Sequence, residues 1–196
     1  MKSAPLSAFL ICVFLAAASL ASEPNALRSK VLHDTVIQGY PCARGYAWFY
    51  PDGSLNECTV ARPVTFGAVR VPRGSVIQLW PNGAARYLNL PHASLVAGYH
   101  VIGGNPPGSP QSDGTAFYPS GKLRYFFLLN DQTIQGVPCR GSQGSFLSAS
   151  AARAHRVDFY EDGKLQSCQL TQNYRGQEAG QRIMLPDEPV HLIAGR

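Results

Sequence analysis

The chain has 196 residues, of which 45% are hydrophobic and 15% charged, with 19 Gly, 15 Pro and a formal net charge of +5. The hydrophobic fraction excludes a disordered chain, and the low charged fraction argues against long solvent-facing helices and coiled coils. Lys and Arg never stand side by side, so the basic runs of a nucleic-acid-binding protein are missing. The composition therefore predicts one turn-rich, all-β globular domain that does not bind nucleic acid.

The first 21 residues have the parts of a secretory signal peptide. Lys2 precedes an apolar run over residues 6–20, and small residues stand at Ser19 and Ala21. The run is shorter than the roughly 20 apolar residues of a membrane span, so we expect cleavage after Ala21 rather than an anchor. The mature chain is predicted to be periplasmic or extracellular and not membrane-spanning. Residues 22–32 are interpreted as a linker and residues 33–196 as a single domain.

One hairpin pattern recurs along the mature chain. It reads Phe-Tyr-Pro-Asp-Gly-Ser-Leu in its first copy, and the copies occupy residues 49–55, 79–85, 117–123 and 159–165, with a degenerate fifth at 184–190. A turn glycine closes each of the first four copies, at Gly53, Gly83, Gly121 and Gly163. Asp-Gly, Asn-Gly and Ser-Gly between apolar runs are typical of tight turns, so each copy predicts a β-hairpin.

A shorter element precedes each hairpin and ends in a glycine, at Gly39, Gly67, Gly98, Gly136 and, more weakly, Gly176. Apolar residues alternate along both arms of the hairpins, for example at Ala47 and Phe49 and again at Ile77 and Leu79. This period of two predicts one buried face that runs from repeat to repeat. The predicted fold is an all-β, antiparallel β-hairpin repeat array, either a twisted meander or an irregular solenoid.

An aromatic residue precedes each turn, at Tyr50, Trp80, Tyr118 and Tyr160. Such a row has two interpretations. It packs across strands and covers a sheet edge, or it forms a stacking platform for a sugar or aromatic ligand. The four residues are therefore candidate binding residues.

Four cysteines remain after removal of the signal peptide, which indicates disulfides in an exported protein. Cys42 and Cys139 each lie three residues after the glycine that ends the short element of their repeat. Cys58 and Cys168 each lie five residues after the turn glycine of their hairpin. Repeats two and three have neither cysteine and are aligned with Arg70 and Val101 at the first position, and with Leu88 and Phe126 at the second. Because the two cysteines occur together or not at all, we predict the pairs Cys42–Cys58 and Cys139–Cys168, each worth about 3 kcal/mol.

No catalytic, metal or cofactor motif is found. The five histidines are scattered singly, and no phosphate loop, dinucleotide fingerprint or serine nucleophile elbow occurs. Asp158, Glu161 and Asp162 form an acidic cluster that we interpret as a solvated hairpin tip. The long insertions at 103–114 and 140–155 are further candidate specificity segments. We expect no enzyme activity, no metal and no cofactor.

The four hairpin cores resemble variant repeats of the membrane occupation and recognition nexus (MORN) type, which occur in antitoxin-like and envelope proteins. The resemblance implies an extended hairpin array used for protein or surface interaction and carries over no catalytic residues.

These observations favour an exported, non-catalytic binding or structural module of the cell envelope that contacts a protein or glycan through the aromatic row or the long loops. One alternative is an immunity or antitoxin-like protein that neutralises a secreted toxin. The second is a hydrolase whose site is built from scattered residues, with His155, Asp158 and the 103–114 loop in one cleft.

Overall fold

The computed structural model describes residues 27–104, 114–142 and 155–185, which form β-strands and turns. Within these ranges no helix is long and apolar enough to cross a membrane. The predicted signal peptide, most of both long insertions and most of the degenerate fifth hairpin lie outside the described residues.

Most of the described strands form one open antiparallel sheet, in the spatial order β1-β3-β4-β7-β8-β11-β12-β15-β16-β17, with β2 pairing to the start of β3. Its strands are β1 (Leu27–Val31), β2 (Thr35–Ile37), β3 (Tyr40–Phe49), β4 (Leu55–Val60), β7 (Val76–Leu79), β8 (Ala85–Asn89), β11 (Thr115–Phe117), β12 (Leu123–Phe127), β15 (Arg156–Phe159), β16 (Leu165–Gln169) and β17 (Arg182–Met184). From β3 onward the order follows the chain, so the sheet is the predicted meander of long hairpins: β3–β4, β7–β8, β11–β12 and β15–β16.

Short hairpins connect the long ones. They are β5 (Val64–Phe66) with β6 (Val69–Val71), β9 (Ser94–Val96) with β10 (Tyr99–Val101), and β13 (Gln132–Ile134) with β14 (Val137–Cys139). Their apolar residues, such as Val71, Val96 and Ile134, belong to the same buried cluster as Ile77 and Leu88 of the sheet. The core therefore lies between one face of the sheet, here called the inner face, and the layer of short hairpins.

The apolar positions predicted from the period of two are the core. Ala47, Cys58, Ile77 and Leu88 are directly paired across four neighbouring strands, and all four are buried. Further along the sheet, Phe126 lies opposite Val157 and Cys168 opposite Ile183. These buried, directly paired positions confirm the predicted inner face.

The four predicted turns share one geometry. In the first, the amide of Gly53 donates to the carbonyl of Tyr50 at 2.9 Å, and the amide of Tyr50 donates to the carbonyl of Ser54 at 2.8 Å. The φ angle of Gly53 is 84°, and the glycines at 83, 121 and 163 have φ angles of 81°, 80° and 94°. Glycine adopts this left-handed conformation without the steric cost that a Cβ atom imposes, which explains its recurrence.

Gln38 lies in the turn between β2 and β3, and its side chain holds the turn of the β3–β4 hairpin. It has a φ of 49°, and its side chain donates from Nε2 to the carbonyl of Gly53 at 2.8 Å while Oε1 accepts the amide of Leu55 at 2.8 Å. Gln135 makes the same two contacts with the turn of repeat four, to Gly163 and Leu165. Gln38 and Gln135 thus have strained left-handed backbone conformations, and the side chain of each holds the hairpin turn of its own repeat.

The disulfide pairing is the one that the repeat alignment predicts. Cys42 is bonded to Cys58 and Cys139 to Cys168, each with a Cα–Cα distance of 5.7 Å, and all four cysteines are buried. The alignment of repeat two is wrong by one residue, because Gly67 takes the first turn position rather than the second. The partner of Val64 across that turn is Val71, just as Cys42 is the partner of Thr35, so the buried Val71 and not the exposed Arg70 stands in place of the cysteine.

The prediction of a linker over residues 22–32 is wrong for residues 27–31. They form β1, which pairs with β3 from Leu27 opposite Phe49 to Val31 opposite Gly45. Only Val31 of the five is buried, so the strand lacks the apolar alternation that identified the others. Its position is set by backbone hydrogen bonding along the unusually long β3.

Candidate functional site

The aromatic residues before the turns link each long hairpin to the next. Tyr50 donates from its hydroxyl to the carbonyl of Leu79 at 2.7 Å, and Trp80 donates from Nε1 to the carbonyl of Phe117 at 3.2 Å. Tyr118 and Tyr160 donate in the same way to the carbonyls of Phe159, at 2.9 Å, and Leu185, at 2.7 Å. For the first three, the acceptor lies next to the turn of the following long hairpin.

This ladder matches the packing interpretation of the aromatic row. Tyr50 is only 7% exposed, and the other three are half-buried. Arg124 lies over the ring of Tyr118, with its Cζ 5.8 Å from the centroid. The hydroxyl and indole N–H groups of the four aromatic residues stabilise the repeat array. A ligand-binding role for these residues stays a prediction.

The opposite face of the sheet, the outer face, carries a continuous row of directly paired residues. Each of the ten strands from β1 to β17 on the main path of the sheet contributes one residue, and adjacent members are Cα partners. This outer row consists of Arg28, Trp48, Glu57, Gln78, Tyr87, Ala116, Tyr125, Asp158, Ser167 and Met184.

The residues in the middle of the outer row are buried, whereas side chains at its two ends are exposed to solvent. Gln78, Tyr87 and Ala116 are buried, and Gln78 donates from Nε2 to a Glu57 carboxylate oxygen at 2.6 Å. Met184, at the β17 end, is 61% exposed. The solvent-accessible side chains of the outer face therefore concentrate at the two ends of the row.

The β1 end combines arginine with aromatic rings. The guanidinium carbon of Arg28 lies 3.4 Å from the centroid of Tyr46 and 5.7 Å from that of Trp48. Tyr46 is 44% exposed, and Lys30 lies directly opposite it in the sheet. Exposed aromatic and arginine side chains in contact are typical of binding surfaces.

The β17 end is a charged cluster around Asp158. Its Oδ1 accepts the Nε–H of Arg156 at 2.7 Å and its Oδ2 accepts the hydroxyl of Ser167 at 2.9 Å. Arg182 forms an ion pair with Oδ2 and also donates from Nη1 to the carbonyl of Arg156 at 2.9 Å. Arg156 in turn lies over Tyr125, 4.1 Å from the ring centroid. Asp158 is therefore a buried anchor for two arginines, and its interpretation as part of a solvated hairpin tip is wrong.

The cluster lines a shallow depression of about 420 Å³. Its lining residues are Arg156, Asp158, Gln166, Ser167, Arg182 and Met184. Partial burial lowers the pKa of Arg182 below its ordinary value, Asp158 opposes that shift, and the positive charge of Arg156 adds to it. The two guanidinium groups share one carboxylate, so the depression has an excess of positive charge.

His155 and Asp158 have different partners. Burial lowers the pKa of His155, with a further contribution from Arg140, while Asp131 opposes both. None of these residues contacts the Asp158 cluster through a hydrogen bond or ion pair in the described part of the chain. In the same residues no group of three or more His, Cys, Asp or Glu is placed to hold a metal ion.

Sequence reasoning missed the outer row because its members differ in type from repeat to repeat. The equivalent positions of the long hairpins hold Trp48, Gln78, Ala116 and Asp158 in the first arms, so no recurring letter marks them. The signal that could have found the outer row is the alternation of side chains along a strand. When one set of alternate positions is buried on the inner face, the other set must lie on the outer face.

No family model, curated protein or solved structure matches the chain. The resemblance to MORN-type repeats therefore stays a prediction.

Proposed function

We propose that this protein is a non-catalytic binding module that is exported to the periplasm or the cell exterior and contacts an acidic glycan of the envelope through the outer face of its sheet. The observation that carries the proposal is the open arrangement of arginine and aromatic side chains at both ends of the outer row. Two buried disulfides suit an oxidising compartment.

Charge supports an acidic ligand. Arg28 and Lys30 lie at one end of the outer face and Arg156 and Arg182 at the other. Asp158, the carboxylate at the second end, is already bonded to both arginines there. A ligand that approaches either end thus meets uncompensated positive charge.

The distribution of apolar surface favours a glycan over a protein. A stable protein interface of about 800 Å² per partner usually has an apolar centre. Here the centre of the described outer row is buried or polar, at Gln78, Tyr87 and Ala116, whereas the exposed ring of Tyr46 lies beside one end of the row and the exposed thioether of Met184 at the other. Separated polar and aromatic contacts suit an extended sugar chain.

The test is retention of the oxidised, mature protein on envelope fractions before and after protease treatment. We expect retention to survive protease and to be lost in an Arg28→Ala, Tyr46→Ala double variant. Leu95→Ala is the matched control, since Leu95 is 57% exposed but lies on β9, in the layer of short hairpins. Retention abolished by protease would identify a protein partner and overturn the glycan proposal, as would equal loss in the control.

A further inference from the structure

The two arginines of the β17 end are held in a fixed relative position. Arg156 donates to Oδ1 of Asp158 from Nε and also forms an ion pair with it through Nη2. Arg182 is held by Asp158, by Ser167 and by the carbonyl of Arg156. Five-donor guanidinium groups positioned in this way lose little side-chain entropy when they bind a further acceptor.

Both arginines keep donors for a ligand. Nη1 of Arg156 and Nε of Arg182 donate to no acceptor in the described ranges. The side chains are 40% and 35% exposed, and they border the depression described above. The donors are thus reachable from solvent while their carrier groups are fixed.

The charge balance selects the ligand group. Two guanidinium cations and one carboxylate leave a single positive charge, which one monoanion neutralises. A dianionic phosphate would leave a net negative charge beside Asp158, whose side chain is only 12% exposed. A carboxylate also has two oxygens, one for each of the two free donors, and hydrogen bonds between charged groups are the stronger kind.

We propose that Arg156 and Arg182 form a subsite for one carboxylate group of the bound ligand, with the exposed Met184 beside it to contact the apolar part of the same ligand unit. The identity of the rest of the ligand rests on the proposed function, and the carboxylate subsite itself does not. Two sources share this chemistry: an acidic sugar such as a uronic acid, and the free C-terminus of a peptide.

The experiment is an NMR titration of the arginine Nε–H signals of the purified, oxidised protein. Glucuronate is compared with neutral glucose, and N-acetylalanine with N-acetylalaninamide, at constant ionic strength. We expect the Arg156 and Arg182 signals to shift with glucuronate, with a Kd on the order of 10 mM for one charge-assisted pair, and not with glucose. Added chloride salt should weaken the binding through screening.

Variants separate the subsite from general surface charge. Arg156→Gln should weaken glucuronate binding by about tenfold or more, because it removes a hydrogen bond to a charged group. Arg156→Lys should also weaken it, since the charge remains but a lysine lacks the rigid guanidinium that donates to Asp158 through Nε and Nη2 while Nη1 stays free for the ligand. Arg124→Gln is the matched control, as Arg124 is exposed on the neighbouring strand β12 and lies outside the depression.

The outcomes are distinguishable from failure of the envelope-glycan proposal. Larger shifts with N-acetylalanine than with glucuronate would support the subsite but assign it to a peptide terminus. Equal shifts with glucose or the amide, no shift with either carboxylate, or equal weakening by Arg124→Gln would each overturn the subsite. Retention on envelope fractions is independent of all these results.

Discussion

The hydroxyl of Tyr50 donates a 2.7 Å hydrogen bond to the backbone carbonyl of Leu79, which lies in the next long hairpin of the sheet. The contact spans 29 residues of sequence and joins two neighbouring repeats. Because the same link recurs at Trp80, Tyr118 and Tyr160, the aromatic row holds the turn end of the array together.

We expect Tyr50→Phe to lower the free energy of unfolding by about 1–2 kcal/mol, since the ring stays but the buried carbonyl of Leu79 loses its donor. Tyr46→Phe is the control, because Tyr46 is exposed on the outer face and its hydroxyl removal should change stability little. Urea unfolding of both variants measures the difference. A Tyr50→Phe variant as stable as the parent would argue that the ladder contributes no net stability.

The inner face and the long hairpins could be predicted from the sequence because the same residue types recur at the same repeat positions. Ile77 and Val157 mark the buried face in this way. The charged cluster could not be predicted, since Asp158 and Arg182 are 24 residues apart and meet only through the pairing of β15, β16 and β17. Their contact depends on register, which local patterns leave open.

Gln38 and Ala97 occupy equivalent left-handed turn positions, with φ angles of 49° and 48°, and should respond to glycine in opposite ways. We expect Ala97→Gly to stabilise the protein by about 0.5 kcal/mol, because relief of backbone strain exceeds the added entropy of the unfolded chain. Gln38→Gly gains the same relief but loses both hydrogen bonds to the Gly53 turn, so it should destabilise. Thermal or urea unfolding of the two variants measures the signs, and equal signs would contradict the role assigned to the Gln38 side chain.

The two disulfides should contribute similar amounts to the free energy of unfolding, although their sequence separations are 16 and 29. Loop-closure entropy grows only logarithmically, so each bond should be worth about 3 kcal/mol with a difference of about 0.5 kcal/mol. Comparing double alanine variants of each pair by urea unfolding measures these values. Peptide mapping of the nonreduced parent is the control, and a Cys42–Cys139 linkage would contradict the pairing.

The equivalence of repeats one and two offers a sharper test of the Cys42–Cys58 pair. Repeat two holds Val71 and Leu88 at the corresponding positions, both buried. A Cys42→Val, Cys58→Leu variant should therefore recover about 1 kcal/mol relative to the double alanine variant, because it refills the cavity with side chains that this site accommodates in repeat two. A variant less stable than the double alanine would indicate that the two sites differ in shape.

Stability should fall as the pH drops through the ordinary pKa of histidine, 6.5. Burial lowers the pKa of His155 in the folded chain, so just below this pH the unfolded state binds a proton that the folded state does not, and unfolding is favoured. Urea midpoints at about pH 7.5 and about pH 5.5 measure the change, which His155→Gln should reduce. His100→Gln is the control because His100 is exposed, and it should leave the change intact.

Asp158 and Asp162 lie four positions apart on the same hairpin but should differ sharply in their tolerance of asparagine. Asp158→Asn removes the charge that holds Arg156 and Arg182 and turns an amide donor toward guanidinium donors, so we expect a loss of about 2 kcal/mol. Asp162→Asn should have little effect, because Asp162 is solvent-exposed and its ion pair with Lys164 is screened. Repeat two already has Asn82 at this turn position, where its Oδ1 accepts the amide of Ala84 just as Asp162 accepts that of Lys164.

Urea unfolding at low and high salt measures the stability of both variants. Because the ion pairs of Asp158 are more buried than that of Asp162, salt should reduce the effect of Asp158→Asn less. Equal losses in the two variants would mean that the arginine cluster is no better organised than a surface ion pair, and the fixed geometry on which the carboxylate subsite depends would then be absent.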